Sequence, residues 1–391
     1  MTPRVLIIAG SDSGGGAGIQ ADIKTVTMLG GHAMTAITAI TAQNTLGVQA
    51  VLAVPTDMVI AQINSVVTDI GVDAVKIGMI GSAATANAVA DVLEHLSVPI
   101  VFDPVMVATS GSVLADEETI AAFERLMRVA EVTTPNLPEL KALSGMPVDD
   151  SEAVYAAAQA LAGRRRCAVL AKGGHGRSRE VVDRLVHVDP MDGRPTEWRS
   201  ERIDSNSTHG TGCTLASAIA TFLAAGHSLE TAIEQARRFV RLAIKGAPWL
   251  GSGHGPMGHQ TVRLDVSTDS DARLNQVTIA ATDYEATCRF YNWLGLRQIV
   301  ATDDDHYARF ESPAGGATLS IETGARSTVF LEVNDLDEMV ERMQQVGIVF
   351  DTLPTDQPWL WREARLTDPS GNAVCLYQPG ENRRYPPWRL G

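Results

Sequence analysis

The chain has few cysteines and no long hydrophobic run. Its four cysteines among 391 residues lack the paired spacing of a disulfide framework, which favours free thiols in a reducing compartment. No apolar segment approaches the roughly 20 residues that cross a bilayer. The first residues, MTPRVLIIAGSDSGG, carry one arginine and too short an apolar run for a signal peptide. We therefore expect a cytoplasmic protein with no membrane partner.

Positive charge is also scarce. The formal net charge of −14 argues against nucleic acid as a partner, although a local basic site could still hold an anionic nucleotide. The length of 391 residues predicts two or three domains.

From residue 1 to about 245, short apolar runs alternate with alanine-rich segments whose apolar residues recur every three or four positions. The predicted strands are RVLIIAG, AVKIGMIG, VPIVFDPV, VTTPN and CAVLAKGG. This alternation predicts an α/β fold with a mostly parallel sheet flanked by helices. In such sheets ligands bind at the carboxyl ends of the strands.

The pattern changes near residue 250. We assign residues 1–260 to a first domain, 261–272 to a linker poor in apolar periodicity, and 273–391 to a second domain with a C-terminal tail. The second domain contains a weak internal repeat of strand, Asp-containing turn, helix and further strands, which predicts a smaller α+β domain of paired βαβββ modules.

The segment NSTHGTGCTLASAIA, residues 206–220, predicts a glycine-containing loop that opens a helix. Free N–H groups and the helix dipole make such a start suitable for an anion. No Walker lysine follows; Cys213 stands at the point where the loop becomes the helix. A thiol there is expected to be stabilised as a thiolate.

Other polar residues follow predicted strands or open predicted helices. They are Asp22, Gln43, the pair Asn136 and Glu139, and Lys172. Each has an ordinary structural explanation, such as an exposed amide, a helix cap or a solvated strand end. Together they match a phosphoryl-transfer site. Gly210, Thr211 and Gly212 would supply donors, Lys172 a cation, and Cys213 a proton acceptor, while Asn136 and Glu139 would support Mg²⁺ through water.

These motifs resemble the hydroxymethylpyrimidine and phosphomethylpyrimidine kinases of thiamine biosynthesis, in the ribokinase superfamily. The matching segments are AGSDSGGGAGIQADIKT, ITAQNTLGV, KIGMIGS, FDPVMVATSG, TPNLPE, KGGH and NSTHGTGCTLASAIA. The resemblance implies ATP and Mg²⁺ as cofactors and a pyrimidine alcohol as substrate. We also expect a homodimer.

The resemblance assigns roles to residues. It implies that Gln43 recognises the pyrimidine edge, that Met79 and Val105 pack on the ring, and that Asp22 holds the hydroxymethyl end. Gly210, Thr211, Gly212 and Cys213 would form the anion hole. Cys213 would replace the aspartate base of sugar kinases. Asn136, Glu139 and Asp103 would lie on the ATP and Mg²⁺ side.

Residues 274–378 resemble the vicinal oxygen chelate superfamily, which includes glyoxalase I, extradiol dioxygenases and bleomycin-resistance proteins. The resemblance rests on the repeat and on FYNWLGL, FLEVNDLDE and LTDPSGNAVCLYQ. Gln276, Glu322, Thr328 and Cys375 stand where metal-dependent members carry their ligands, and the domain's one histidine is His306. We therefore predict no metal there. Tyr307, Trp359 and Trp361 are either core and rim residues or the lining of a small-molecule pocket.

Two alternatives remain. One is a pyridoxal or pyridoxine kinase, because the implied fold and anion hole are shared. The other, of a different class, is a ligand-sensing regulatory protein with a vestigial kinase, against which the intact Asp22, Lys172 and Cys213 argue.

Overall fold

The chain divides into two compact units, Met1–Leu264 and Asp265–Gly391. The computed structural model describes residues 2–107, 114–175, 179–188, 195–262, 264, 273–302, 307–311, 317–324, 327–345, 347–367, 372–383 and 386–389. His306 lies outside these ranges. Among the helices in the described parts of the chain, none is both long and apolar enough to cross a membrane.

The first unit alternates strands and helices along the chain. Its strands are Arg4–Ala9 (β1), His32–Ile37 (β2), Ala39–Asn44 (β3), Gly47–Ala53 (β4), Ala74–Ile77 (β5), Ile100–Phe102 (β6), Val132–Thr133 (β7), Ala168–Ala171 (β8), Glu180–Val186 (β9) and Thr196–Glu201 (β10). Its α-helices are Gly18–Met28 (α1), Thr56–Asp69 (α2), Ala83–Leu93 (α3), Glu117–Val129 (α4), Leu137–Ser144 (α5), Ser151–Arg165 (α6), Thr211–Ala224 (α7) and Leu229–Lys245 (α8).

Eight of these strands form one sheet in the order β10-β9-β8-β7-β6-β5-β1-β2. The neighbours from β2 to β8 pair in parallel, whereas β9 and β10 continue the sheet in antiparallel fashion. The predicted α/β fold and all five predicted strands are confirmed. The sequence pattern did not reveal the small hairpin of β3 and β4, which stands apart from the main sheet.

Apolar side chains cover both faces of the main sheet. In β1, Leu6 and Ile8 belong to one core, and Val5 and Ile7 to the other. The first core includes residues of α2 to α6, and the second includes residues of α1, α7 and α8. This explains why β1 is a continuous apolar run rather than an alternating one.

The first unit extends past the predicted end at residue 260. Val262 is buried and packs with Phe239, Ala243 and Met257. The 3₁₀ turn His259–Thr261 contacts α1 and α8. The predicted linker therefore begins too early, because its first residues complete a small apolar cluster.

The second unit contains two modules of strand, helix and three strands. Its strands are Arg273–Ala281 (β11), Arg297–Ala301 (β12), Tyr307–Glu311 (β13), Thr318–Thr323 (β14), Thr328–Glu332 (β15), Thr352–Asp356 (β16), Arg362–Thr367 (β17) and Ala373–Gln378 (β18), and its α-helices are Tyr284–Trp293 (α9) and Leu336–Gln345 (α10). They form one sheet in the order β12-β13-β14-β11-β15-β18-β17-β16, with β11 and β15 antiparallel at the centre. The predicted internal repeat is confirmed.

Candidate active site

A cavity of about 640 Å³ lies in the first unit where the parallel strands end. Its lining comes from the segments that follow β1, β5, β6, β7 and β8, and from the start of α7. The sequence-predicted residues that line it are Gln43, Met79, Asp103, Val105, Asn136, Glu139, Lys172, Gly210, Thr211, Gly212 and Cys213. Residues more than 150 positions apart in the chain thus share one cavity.

The start of α7 forms one wall of this cavity. Gly210 precedes the helix with φ +82°, and a Cβ there would lie 1.9 Å from the carbonyl oxygen of Gly16. Only glycine allows this close approach between the first loop and the helix start. A Cβ on Gly212 would lie 3.2 Å from Lys172 Nζ, so the ammonium sits close to the first helical turn. N–H groups of a first turn have no acceptor within the helix and can bind an anion.

The Cys213 thiol lies among charged groups of both signs. Burial, together with the carboxylates of Asp22 and Asp103, raises its pKa to about 11. The Lys76 ammonium and a hydrogen bond from the Gly18 N–H oppose this rise without cancelling it. The expected stabilisation of the thiolate is therefore not met, because burial outweighs the groups that favour the ionised form.

Asp22 does not line the cavity. Its side chain is fully buried, accepts a hydrogen bond from Ser217 Oγ at 2.7 Å and pairs with Lys76 Nζ at 2.7 Å. Burial lowers the pKa of Lys76, but its interactions with Asp22, Cys213 and Asp103 together more than offset this and raise it. Lys76 itself lines the cavity, so Asp22 holds a charged ammonium at the wall instead of reaching the cavity.

A second ion pair, between Lys172 and Asp103, lies beside Gly212 in the first turn of α7. Lys172 Nζ lies 2.7 Å from Asp103 Oδ1, which also accepts a hydrogen bond from Thr134 Oγ1 at 2.8 Å. Burial raises the pKa of Asp103, but Lys172 and Lys76 lower it below its usual value. Asp103 therefore remains ionised beside the start of α7.

Asn136 and Glu139 cap α5 as well as lining the cavity. Asn136 Oδ1 accepts from the Glu139 N–H at 2.9 Å, and Glu139 Oε2 accepts from the Asn136 N–H at 2.8 Å. This reciprocal capping box confirms the ordinary structural explanation considered for the pair. Burial raises the pKa of Glu139 to about 7, while Lys172 opposes the rise.

Sequence reasoning missed several polar side chains at the cavity, among them Asp12, His209 and Lys76. His209 Nε2 lies 2.9 Å from Asp12 Oδ2 and 3.2 Å from Gln43 Nε2. Two features of the sequence could have identified His209 and Lys76. His209 directly precedes Gly210, and Lys76 interrupts the apolar run of β5.

The model of the phosphomethylpyrimidine kinase family matches residues 12–258, which is more than half of the chain. The chain belongs to this family. A second model, for the glyoxalase, bleomycin resistance protein and dioxygenase superfamily, matches residues 273–376.

Named relatives agree with this assignment. The chain is 47% identical over 260 residues to the hydroxymethylpyrimidine/phosphomethylpyrimidine kinase of Streptomyces coelicolor, covering 66% of this chain and 94% of that protein. It is also 47% identical over 265 residues to the thiamine biosynthesis bifunctional protein ThiED of Geobacter sulfurreducens, covering 67% of this chain but only 53% of the relative. The chain thus spans about half the length of that bifunctional relative.

Two solved structures share the fold of the first unit. An ADP complex of Bacillus subtilis pyridoxal kinase matches with a TM-score of 0.62 and 35% identity, covering 68% of this chain and all of that one. Phosphomethylpyrimidine kinase from Clostridium difficile matches with a TM-score of 0.55 and 34% identity, covering 62% of this chain and all of that one.

In this family member's second unit, the four predicted metal-ligand positions fall on one face of the sheet. Strand pairing places Gln276 beside Thr318 and Thr328 beside Thr278. Glu322 is paired with Ala280 and Cys375 with Phe330, and both lie an even number of residues from these positions, so their side chains project from the same face. The Gln276 amide accepts a hydrogen bond from Thr318 Oγ1 at 3.0 Å. Cys375 is buried with the ring cluster Phe330, Trp361 and Tyr377.

An arginine covers this ring cluster. The Arg309 guanidinium lies 4.5 Å from the Trp361 ring centre and donates to the Tyr307 hydroxyl at 2.7 Å. Trp359 Nε1 donates to the buried Glu363 carboxylate at 2.7 Å. Across the described residues, no group of three or more His, Cys, Asp or Glu side chains is arranged to hold a metal ion.

Proposed function

We propose that the first domain transfers the γ-phosphoryl group of ATP to the hydroxymethyl oxygen of 4-amino-5-hydroxymethyl-2-methylpyrimidine and then to the resulting monophosphate. The observation that carries this is the shared cavity, in which Gln43, Met79 and Val105 face the same space as Lys172 and the start of α7. A single substrate bound in this cavity could therefore contact both the residues that would recognise its ring and the residues that would transfer the phosphoryl group.

In the proposed transfer, the substrate oxygen bonds to the γ-phosphorus, the bond from that phosphorus to the β,γ-bridging oxygen breaks, and ADP leaves. The hydroxyl proton goes to the Cys213 sulfur. The first-turn N–H groups of α7 and the Lys172 ammonium stabilise negative charge on the moving phosphoryl group. Lys76, held charged by Asp22, favours the thiolate form of Cys213.

The residues present fit Mg²⁺ bound through water. Asp103 and Glu139 are buried carboxylates that both interact with the Lys172 ammonium, and oxygen donors of this kind suit the ion. When bound, Mg²⁺ would neutralise charge on the nucleotide phosphates. ATP as donor is supported by the family and by the nucleotide complexes of the related pyridoxal kinases.

We propose a non-catalytic, ligand-binding or structural role for the second domain. The sheet face that carries the four predicted ligand positions is occupied by the domain's own ring cluster and by Arg309. The predicted homodimer stays a prediction, which light scattering coupled to gel filtration would test.

Pyridoxal kinase activity is the second candidate, because two of the structural relatives are pyridoxal kinases of 31–35% identity. The full-length curated relatives named as hydroxymethylpyrimidine/phosphomethylpyrimidine kinases are 41–47% identical over comparable lengths, although the solved Clostridium difficile phosphomethylpyrimidine kinase, at 34%, is no more similar than the pyridoxal kinases. Measuring kcat/KM for the two alcohols with ATP decides between them. We expect the pyrimidine to be preferred by roughly tenfold or more. Equal rates or a preference for pyridoxal would favour the second candidate, and no turnover of either would favour a vestigial kinase.

A further inference from the structure

The glycine-rich loop between β1 and α1, residues 10–17, binds a carboxylate of its own chain. The Asp12 side chain accepts hydrogen bonds from the N–H groups of Gly14 at 2.8 Å, Gly16 at 3.1 Å and Ala17 at 2.8 Å. Neighbouring N–H groups of this kind form the concave anion sites of phosphate-binding loops. The Asp12 carboxylate already uses these donors, and the loop is therefore ordered around its own acidic residue.

Asp12 also connects this loop to the segment that precedes α7. Its Oδ2 atom lies 2.9 Å from His209 Nε2, although the two residues are 197 positions apart, and the side chains of His209 and Asp12 are only 10% and 2% exposed. Burial raises the pKa of Asp12, but the hydrogen bonds from His209, Ala17 and Gly14 hold it below its usual value. The carboxylate is therefore ionised at neutral pH and only accepts, so the hydrogen on His209 Nε2 points at Asp12.

The backbone segments beside the Asp12–His209 hydrogen bond are in direct contact. A Cβ on Gly16 would lie 2.6 Å from His209 Cδ2, and a Cβ on Gly210 would lie 1.9 Å from the carbonyl oxygen of Gly16. On the other side, the His209 N–H donates to the carbonyl oxygen of Gly255 at 3.2 Å. Because His209 directly precedes Gly210, a shift of the histidine moves the first residue of the proposed anion hole.

We propose that Asp12 is a positioning residue that, through His209, holds the start of α7 in the geometry that phosphoryl transfer requires. This inference rests on the proposed function, in which the start of α7 stabilises negative charge on the moving phosphoryl group. Preorganised donors act because they are in place before the charge develops, and a displacement of about 1 Å can cost roughly a hundredfold in rate. Loss of the Asp12–His209 bond should therefore lower kcat more than it raises KM for ATP, because bound nucleotide tolerates such a shift better than the transition state does.

The test is a double-mutant cycle on kcat in the full chain, with ATP and whichever alcohol, the pyrimidine or pyridoxal, the wild type phosphorylates. His209→Ala should lower kcat roughly 10- to 100-fold and change KM for ATP by less than about threefold. His209→Gln keeps an N–H donor and should recover kcat to within about fivefold of the wild type. Asp12→Ala should also lower kcat, and kcat of the double variant should be at least about fivefold higher than the product of the two single losses predicts, because the two residues act as one unit.

Controls separate positioning from folding. Glu197 pairs with Arg184 Nε at 2.7 Å, and neither residue is among the described residues that line the cavity. Glu197→Gln therefore weakens an ion pair of the same domain and should leave kcat within about twofold of the wild type. Chemical denaturation identifies the variants that are folded at the assay temperature, and only their kcat values are compared. His209→Leu, which keeps more of the side-chain volume, replaces His209→Ala if the alanine variant does not fold.

Folded variants of Asp12 and His209 that keep the wild-type kcat would overturn the inference. Losses that multiply in the double variant would also overturn it, because Asp12 would then not act through His209. A wild-type chain that phosphorylates neither alcohol would instead refute the proposed function, and the inference with it. The two failures are therefore distinguishable.

Discussion

At the scale of single residues, the surroundings of Cys213 decide how it can act. With a pKa of about 11, the thiol is about 10⁻⁴ ionised at pH 7. The charged Lys76, which Asp22 holds in place, is the main group that favours the ionised form. The Cys213 thiolate is thus a strong base that makes up only a small fraction of the residue at neutral pH. Its contribution to the rate should therefore depend on pH.

Cys213→Ala should lower kcat by roughly 10²–10⁴-fold, the usual contribution of a general base, while nucleotide affinity changes little. Cys213→Asp should retain more activity than Cys213→Ala, because a carboxylate also accepts a proton. Steady-state kinetics with isothermal titration of ATP provides both values. Activity of Cys213→Ala within a few-fold of wild type would make Cys213 a packing residue.

The pH dependence should follow from the raised pKa. Because the thiolate fraction grows as pH rises toward about 11, kcat/KM of the wild type should increase close to tenfold per unit between pH 7 and 9. Cys213→Asp, whose carboxylate is already ionised, should give a flat profile over this range. A flat wild-type profile would show that thiol ionisation does not limit the reaction.

The residues that could be predicted from sequence were those at the ends of parallel strands. Lys172 and Asn136 each follow a strand, and the topology of such sheets brings them together. Asp22 was predicted to hold the hydroxymethyl end of the substrate, but its buried side chain pairs with Lys76. The two residues are 54 positions apart in the chain. Pairing between distant buried charges leaves no local pattern in the sequence.

At the scale of elements, the start of α5 combines two roles. Asn136 and Glu139 cap the helix, and both also line the cavity. Stability and catalysis can therefore be separated only by substitutions that affect one role.

Glu139→Gln should keep the capping box, because glutamine at this position can still accept from the Asn136 N–H. We expect a free energy of unfolding within about 0.5 kcal/mol of wild type, but a roughly 10- to 100-fold loss of kcat/KM and a higher Mg²⁺ requirement. Chemical denaturation and Mg²⁺ titration of the rate measure these. Full activity at unchanged Mg²⁺ dependence would leave Glu139 with the cap alone.

The matched control is Asp150→Ala at the start of α6. Asp150 caps that helix by accepting from the Ala153 N–H at 2.8 Å and does not line the cavity. This substitution should cost about 1 kcal/mol of stability without changing the rate constant.

Element types were largely predictable, whereas element partners were not. Five of the six strands that pair in parallel, all except β2, read as short apolar runs mostly bounded by Gly, Pro or Asn. The hairpin of β3 and β4 escaped detection because β4, GVQAVLA, has no buried residue, and in β3 only Ala39 and Thr41 are buried. A strand without a buried face has no hydrophobic alternation to reveal it.

At the scale of the whole molecule, the boundary between the two units determines what can be studied separately. The apolar cluster of Phe239, Ala243, Met257 and Val262 lies within the first unit. His259 Nε2 lies 2.8 Å from Thr214 Oγ1, next to Cys213 in the chain. The end of the first domain therefore contacts the helix whose start is the proposed anion site.

A chain ending at Leu264 should fold and phosphorylate the pyrimidine at the rate of the full chain. A chain ending at Gly258 loses the His259 bond and the burial of Val262, about 3 kcal/mol together, and should melt roughly 5–10 °C lower. Calorimetry and kinetics of both truncations test this. An inactive or insoluble chain ending at Leu264 would mean that the second domain completes the site.

The second domain should purify without a stoichiometric transition metal. Gln276 and Thr328 are neutral side chains at two of the four ligand positions, and Cys375 is buried among aromatic rings. Elemental analysis of the full chain, purified without chelator or a histidine tag, measures the content. One equivalent of zinc, nickel, iron or manganese would reopen an enzymatic role for this domain.

The most direct test of the account is a phosphorus NMR time course of the full chain with ATP, Mg²⁺ and 4-amino-5-hydroxymethyl-2-methylpyrimidine. The proposed function predicts that the pyrimidine monophosphate appears first and then converts to the diphosphate, with two equivalents of ADP formed per pyrimidine. Absence of any phosphorylated pyrimidine, under conditions where pyridoxal becomes phosphorylated, would contradict it.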